Sequence, residues 1–225
     1  MSDASEYEFE PVRGLPELLP DGETMLWQGE PRAAALARRA FHVRVVAIYF
    51  GVLVAWRVAA GIADGDPLAT TLVASLWIAA LGCSAVGVLA LLAWANARTT
   101  VYTITSRRVV MRFGIALPMT VNVPFRIIGS AGLKTYADGS GDIPIALVPG
   151  ERMSYFLMWP HVRPWKISRP EPMLRGLADA RAAAQILAGA LAAFAGQPAP
   201  RPIEAPVPQG DVERPAMPAA AAVAQ

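Results

Sequence analysis

Cysteine is almost missing from this chain: Cys83 is the single one among 225 residues. Neither a disulfide framework nor a cysteine-based metal site can therefore be built within one copy. Histidine is nearly as scarce, with only His42 and His161. Charged side chains make up 17 % and the formal net charge is +2. Acids gather near the N-terminus and arginines near the apolar blocks, a distribution that gives no reason to expect a nucleic-acid partner. The opening residues MSDASEYEFE are polar and acidic, so a cleavable signal peptide, with its basic start and immediate apolar run, is not expected. A glycine-rich phosphate loop, a metalloprotease helix motif and a nucleophile elbow are also missing. Without a convergent set of acid, base or metal ligands, no catalytic, cofactor-binding or metal residue is assigned, and the chain is not expected to be an enzyme.

What the chain has in excess is apolar surface, at 54 % hydrophobic residues. Much of it lies in two blocks. Residues 43–62 supply about twenty residues, enough for one membrane crossing, and residues 68–97 would span about 45 Å as a helix against a hydrocarbon core of about 30 Å. The second helix must therefore tilt or protrude. Arg57 interrupts the first block close to its end, where snorkelling lowers its cost and Asp64 and Asp66 can neutralise it. Arg32, Arg38, Arg39 and Arg44 precede the first block, Arg98, Arg107, Arg108 and Arg112 follow the second, and the turn between holds only acids. By the positive-inside bias both termini are expected on the cytoplasmic side of a two-span hairpin.

Small residues recur at four-residue spacing on both blocks: Ala47, Gly51, Ala55 and Ala59 on the first, Ser75, Ala79, Cys83 and Gly87 on the second. Such rows let backbones approach closely. They either pack the two helices together or offer a face to another membrane protein.

From residue 98 the pattern changes to strands. In RTTVYTITSRRVVMRFGI, apolar and polar residues alternate on either side of Ser-Arg-Arg, which reads as a β-hairpin. Further strands are expected at 119–123, 127–136, 143–148 and 154–159, giving a small antiparallel sheet or barrel. Asp138-Gly-Ser-Gly-Asp142 reads as a hairpin turn, because an EF-hand would need a closing glutamate where Pro149 stands. A Pro-rich linker, HVRPWKISRPEP, leads to an amphipathic helix with apolar positions Met173, Leu177, Ala180, Ala184, Leu187, Leu191 and Phe194, opened by Pro172 and closed by Gly196. Arg181 leaves too short an apolar run for a third span, so this helix is expected to cap the sheet. The division that follows is an N-terminal arm over 1–42, with Trp27 either against the soluble domain or at the lipid interface, a membrane hairpin over 43–97, an α+β domain over 98–196, and a disordered Pro/Ala-rich tail over 197–225.

Two groups are candidate contact residues. Arg107, Arg108 and Arg112 suit anionic lipid at a membrane surface, although the positive-inside bias alone would put arginines there. Trp159, His161, Arg163 and Trp165 sit in a loop that is either a packed connection or a contact with lipid or protein. His42, at the lip of the first helix, has nothing beside it that selects for metal or pigment ligation.

The segment YTITSRRVVMRFG, preceded by GETMLWQGEP and an apolar hairpin, resembles the membrane-anchored bacterial pleckstrin-homology-like (PH-like) domains, which are small curved β-sheets closed by a C-terminal helix. GLPELLPDGETMLWQGEP, LARRAFHVR, DGSGDIPIAL and MWPHVRPWKISRPEPMLRGLADA more specifically resemble the PuhB-type photosynthetic complex assembly proteins of purple bacteria, over residues 14–191. The resemblance implies a non-enzymatic assembly factor in the inner or intracytoplasmic membrane. Its partners would be reaction-centre and core light-harvesting subunits, membrane lipids and other copies of itself. No catalytic residues carry over. The alternative function is a PH-like module that binds anionic headgroups or scaffolds other membrane proteins.

Overall fold

The computed structural model describes residues 14, 15 and 17–198. Residues 1–13 of the expected arm and the tail beyond 198 lie outside them.

Two helices, α2 (Val43–Ala63) and α3 (Leu68–Thr99), are long and apolar enough to cross a membrane. Both are runs of Ala, Leu and Val without internal proline, and apolar residues surround each helix instead of forming one stripe. Pro67 opens α3, and Gly65 takes φ +73° in the turn between the helices. Arg57 reaches Asp66 at 3.3 Å, as expected of a charge near the turn. At about 1.5 Å per residue α2 is about 31 Å long and α3 about 48 Å, so α3 overshoots its partner. A short helix, α1 (Ala33–Arg39), covers the overhang, where Leu36, Ala40 and Phe41 pack with Ala93 and Ala97 and are bordered by Val43 and Leu89.

The two long helices do not meet along the expected rows. Gly51, Ala55 and Ala59 are exposed, on the side of α2 turned from α3. On α3, Ser75 is buried and Ala79 half-buried, but Cys83 and Gly87 are exposed. A step of four residues advances about 400° around a helix, so a four-residue row drifts off any fixed face by about 40° per step. The seam follows mixed three- and four-residue steps instead, through Thr71, Ser75, Ile78, Gly82, Ala85 and Leu89. Its tightest points are Gly82, where a Cβ would come 2.7 Å from the Cβ of Phe50, and Gly61, where it would collide with Thr71. Gly51, by contrast, has nothing within 4 Å. Gly82→Leu is therefore expected to destabilise the hairpin by about 1–3 kcal/mol, the usual range for overpacking, while Gly51→Leu leaves it unchanged. Thermal unfolding in detergent measures both, and equal effects would disprove this seam.

Outside the two long helices lie two antiparallel sheets, with no closed barrel among the described residues. In the first, β1 (Met25–Gly29), β2 (Val101–Thr105), β3 (Arg108–Phe113) and β4 (Met119–Pro124) lie in chain order. In the second, β7 (Gly141–Leu147) pairs with β5 (Ile128–Ala131), β6 (Lys134–Thr135) and β8 (Met173–Leu177). Helix α5 (Ala180–Phe194) lays Ala183, Ala184, Leu187 and Ala190 into the core formed with Tyr102, Ile104, Val109, Met111 and Ile143. This is the capping helix that its apolar period predicts.

Four expectations are corrected here. Residues 25–39 are not a free arm: they supply edge strand β1 and helix α1, so the domain is not confined to 98–196, although Trp27 does lie against the core. Residues 127–136 do not form one strand; a 3₁₀ turn (Phe125–Ile127) and Gly132 divide the segment. Residues 154–159 are not a strand but the single helical turn α4 (Tyr155–Met158), with the hydroxyl of Ser154 accepting from the Leu157 amide. The final helix starts at Ala180 and not near Met173, because Gly176 adopts φ +67° and Asp179 caps the helix by accepting from the Ala182 amide. Met173 and Leu177 fit the helical period only because every side chain of β8 is buried.

Candidate functional site

The junction of the apolar hairpin with the sheets is a buried polar joint. α3 ends at Thr99, Thr100 is extended, and β2 begins at Val101. The last carbonyls of a helix have no partner within it, and here hydroxyls fill part of that need. Thr100 Oγ1 donates to the Asn96 carbonyl at 2.7 Å, and Thr99 Oγ1 to that of Ala95 at 3.2 Å. His161, fully buried, arrives from the linker after α4. Its Nε2 lies 3.2 Å from Thr100 Oγ1 and its Nδ1 2.6 Å from the Tyr102 hydroxyl. The Tyr102 oxygen in turn accepts from the Arg175 amide on β8 at 3.2 Å.

Proton counting fixes the histidine tautomer. Thr100 spends its only proton on Asn96, so it accepts from Nε2–H, and Nδ1 accepts the Tyr102 proton. One directed chain of hydrogen bonds thus runs from β8 through Tyr102, His161 and Thr100 into the end of α3. A second proton on His161 would face the Tyr102 hydroxyl proton, and the ring is already held neutral. Burial, followed by the charge of Arg175, pulls its pKa from 6.5 down to about 3. Burial likewise raises the Tyr102 phenol well above its usual range, so it remains a donor. Phe113 closes the space around the imidazole at 4.9 Å between ring centroids.

Behind this chain Arg175 acts as a clasp. Its guanidinium donates to the carbonyl of Pro160 at 2.9 Å and to that of Arg39 at 2.8 Å, tying the linker and α1 to β8. Burial pulls its pKa below the usual range, and the negative charge of Asp142 opposes that pull. Asp142, also buried, accepts from Tyr136 at 2.6 Å and from the Gly176 amide at 2.8 Å. Burial first, and then this carboxylate, push the Tyr136 phenol up to about 12. Arg39 stacks 3.3 Å over the Tyr136 ring and reaches both Ser140 and Asp138 in the β6–β7 turn. The hydroxyl of Ser140, and then Arg39, hold the Asp138 carboxyl far below its ordinary value. The DGSGD segment is the hairpin turn that its composition predicts, and it is fastened to α1.

The expected contact residues separate. His161 is not a surface contact at all, and Trp159, half-exposed, stands edge-on to Phe41 at 5.2 Å between ring centroids. Arg163 and Trp165 lie in a projecting loop whose base is the bridge between Val162 and Pro172. Glu171 braces that loop by accepting from Lys166 at 2.6 Å and Arg163 at 2.8 Å. Burial would raise this carboxyl, but the two cations prevail and its pKa is lowered. Arg107 and Arg108 lie at the turn of the β2–β3 hairpin, five strand residues or about 17 Å from the end of α3, and Arg108 pairs with Glu23 at 2.9 Å. Only Arg112, opposite Val101, is near the helix end. His42 is exposed, its Nδ1 beside the Ala40 carbonyl. Among the described residues no group of three or more His, Cys, Asp or Glu could hold a metal ion.

Thr100, Tyr102, Asp142 and Arg175 are missed by sequence reasoning. Their signal is faint. Tyr102 sits in an ordinary strand alternation, and Arg175 reads as the polar side of a helix.

Two antiparallel sheets capped by a helix and locked through buried side chains to a pair of apolar helices define a pleckstrin-homology-like domain on a helical stalk. The sequence profile described as "Bacterial PH domain" matches residues 33–191, and the chain belongs to that family. It is 37 % identical over 199 residues, covering 88 % of this chain and 92 % of the relative, to the "Uncharacterized 23.7 kDa protein in puhA 5'region" of Rhodobacter capsulatus. No solved structure matches it.

Proposed function

We propose that this chain is a PuhB-type, non-enzymatic assembly factor for the photosynthetic reaction centre and its core light-harvesting antenna. The observation that carries this reading is the kinship with the Rhodobacter capsulatus protein described by its place in the 5' region of puhA, which accords with the resemblance to PuhB-type proteins over residues 14–191. In this reading α2 and α3 cross the bacterial inner or intracytoplasmic membrane, and the arginine flanks keep both termini in the cytoplasm. The face of α2 that α3 leaves uncovered is available to a nascent membrane subunit, while the sheets hold the subunit's cytoplasmic part. The buried joint suits this work, since a stalk rigidly coupled to its domain keeps both docking surfaces in one geometry.

Affinity purification of the tagged full chain from membranes of phototrophically grown cells is expected to recover reaction-centre or antenna polypeptides. Recovery of neither removes the proposal. The position of Arg107 and Arg108, away from the stalk and with Arg108 paired, counts against a headgroup site built from Arg107, Arg108 and Arg112.

A further inference from the structure

We propose that the α4 turn is a lipid-insertion wedge: Phe156 and Leu157 enter the headgroup layer beside the start of α2, with Trp159 at the wedge's base. This deepens the reading above and rests on α2 and α3 crossing the membrane.

The turn is apolar on both sides. Met158 faces inward at 1 % exposure, whereas Phe156 is 82 %, Leu157 54 % and Trp159 48 % exposed. The inward side satisfies the core, so the outward residues are left to be explained by what lies outside. Their location names the occupant. Trp159 packs edge-on against Phe41, two residues before α2 begins.

Helix lengths give the level. The 21 residues of α2 span about 31 Å, matching a hydrocarbon core of about 30 Å, so Val43 marks its cytoplasmic boundary. Leu89, about the same distance from the inter-helix turn along α3, borders the same cluster as Val43. Trp94 is five residues further, about 7 Å above that boundary and within the headgroup layer. It is half-exposed, and the Arg98 guanidinium lies 5.2 Å from its ring centroid. Indole rings favour this layer, and Phe41, Trp94 and Trp159 are all found at the same end of the stalk. Arg152, exposed just before the turn, and Arg44, exposed in the first turn of α2, suit an anionic leaflet.

The consequence is orientation. The joint at Thr100 fixes the domain to the stalk; the wedge adds a second point of attachment, to lipid, and so fixes the domain's tilt on the bilayer.

The test uses the full chain with Cys83→Ser in nanodiscs of phosphatidylcholine and phosphatidylglycerol. Spin labels are attached at Phe156→Cys, at Glu151→Cys in the preceding exposed loop, and at Val52→Cys midway along α2. Collision with oxygen, which concentrates in lipid, is compared with collision with a water-soluble nickel chelate. The ratio at position 156 is expected to exceed that at 151 several-fold and to lie between it and that at 52, because the headgroup layer is shallower than the bilayer centre. A lipid-like ratio at 52 with a water-like ratio at 156 overturns the wedge alone. Water-like values at all three positions overturn the membrane reading and the wedge with it. Shielding of position 156 from both reagents means that a protein surface covers the turn, which also overturns the wedge.

Discussion

Arg175→Ala is expected to lower the folding stability of the β-sheet domain by about 3–5 kcal/mol, the scale of breaking a buried charged group out of its network. The guanidinium donates to two carbonyls that lie 15 and 136 residues away in sequence, Pro160 and Arg39. Nothing in an alanine side chain can reach either, and hydrogen bonds from charged donors contribute about 1.5–3 kcal/mol each. One term opposes the loss. The cation is itself costly to bury and its Nε has no hydrogen-bond partner among the described residues, so its removal relieves that penalty. The relief is incomplete, because Asp142 remains buried without the nearby positive charge. Arg175→Lys retains the charge but not the fork and is expected to recover less than half of the loss. Urea unfolding in detergent, followed by tryptophan fluorescence, measures both variants. A loss below about 1 kcal/mol for Arg175→Ala, the size of one ordinary hydrogen bond, would mean that Arg175 is not the clasp.

Acidification from pH 7 to pH 5 is expected to cost the native state about 2 kcal/mol through His161 alone. In the folded chain the imidazole stays neutral down to about 3, whereas its ordinary value is 6.5. Between those values the unfolded chain binds a proton that the folded chain does not, so stability is full above 6.5 and declines as pH falls, until the folded form also titrates near 3. The lowered carboxyls of Asp138 and Glu171 act in the same direction, but from ordinary values of 3.8 and 4.5, so the interval from 7 to 5 isolates the histidine. His161→Gln is expected to be less stable at pH 7 and to show a flatter profile across that interval. An unchanged slope in that variant would mean that the titrating group lies elsewhere.

Much of the fold follows from local pattern. The β2–β3 hairpin is written in the alternation around Ser106-Arg107-Arg108, and α2, α3 and α5 in the length or period of their apolar residues. Where local pattern is ambiguous it misleads. Met173–Leu177 fits a helical period and a buried strand equally well, and the left-handed Gly176 together with the pairing to β7 decides for the strand. The small-residue rows fail for a geometric reason, since regular spacing by four winds off the contact face. The joint is the least legible feature. His161 meets Thr100 and Tyr102 across 61 and 59 residues, and Arg175 meets Tyr102 across 73. Separations of that size leave no trace in a single sequence.

The sequence by itself determined that this chain has two apolar helices followed by strands and a capping helix, because hydropathy and periodicity are properties of neighbouring residues. It also carried the kinship to bacterial PH domains. Only the tertiary structure decided that His161 is an internal link rather than a surface contact, that the helices meet at Gly82 and Gly61, and that Trp159 lies beside Phe41 at the start of α2. Each of those facts depends on which distant segments come together. A buried polar side chain is tolerable only when the fold brings its partners to it, and the partners are set by the fold as a whole.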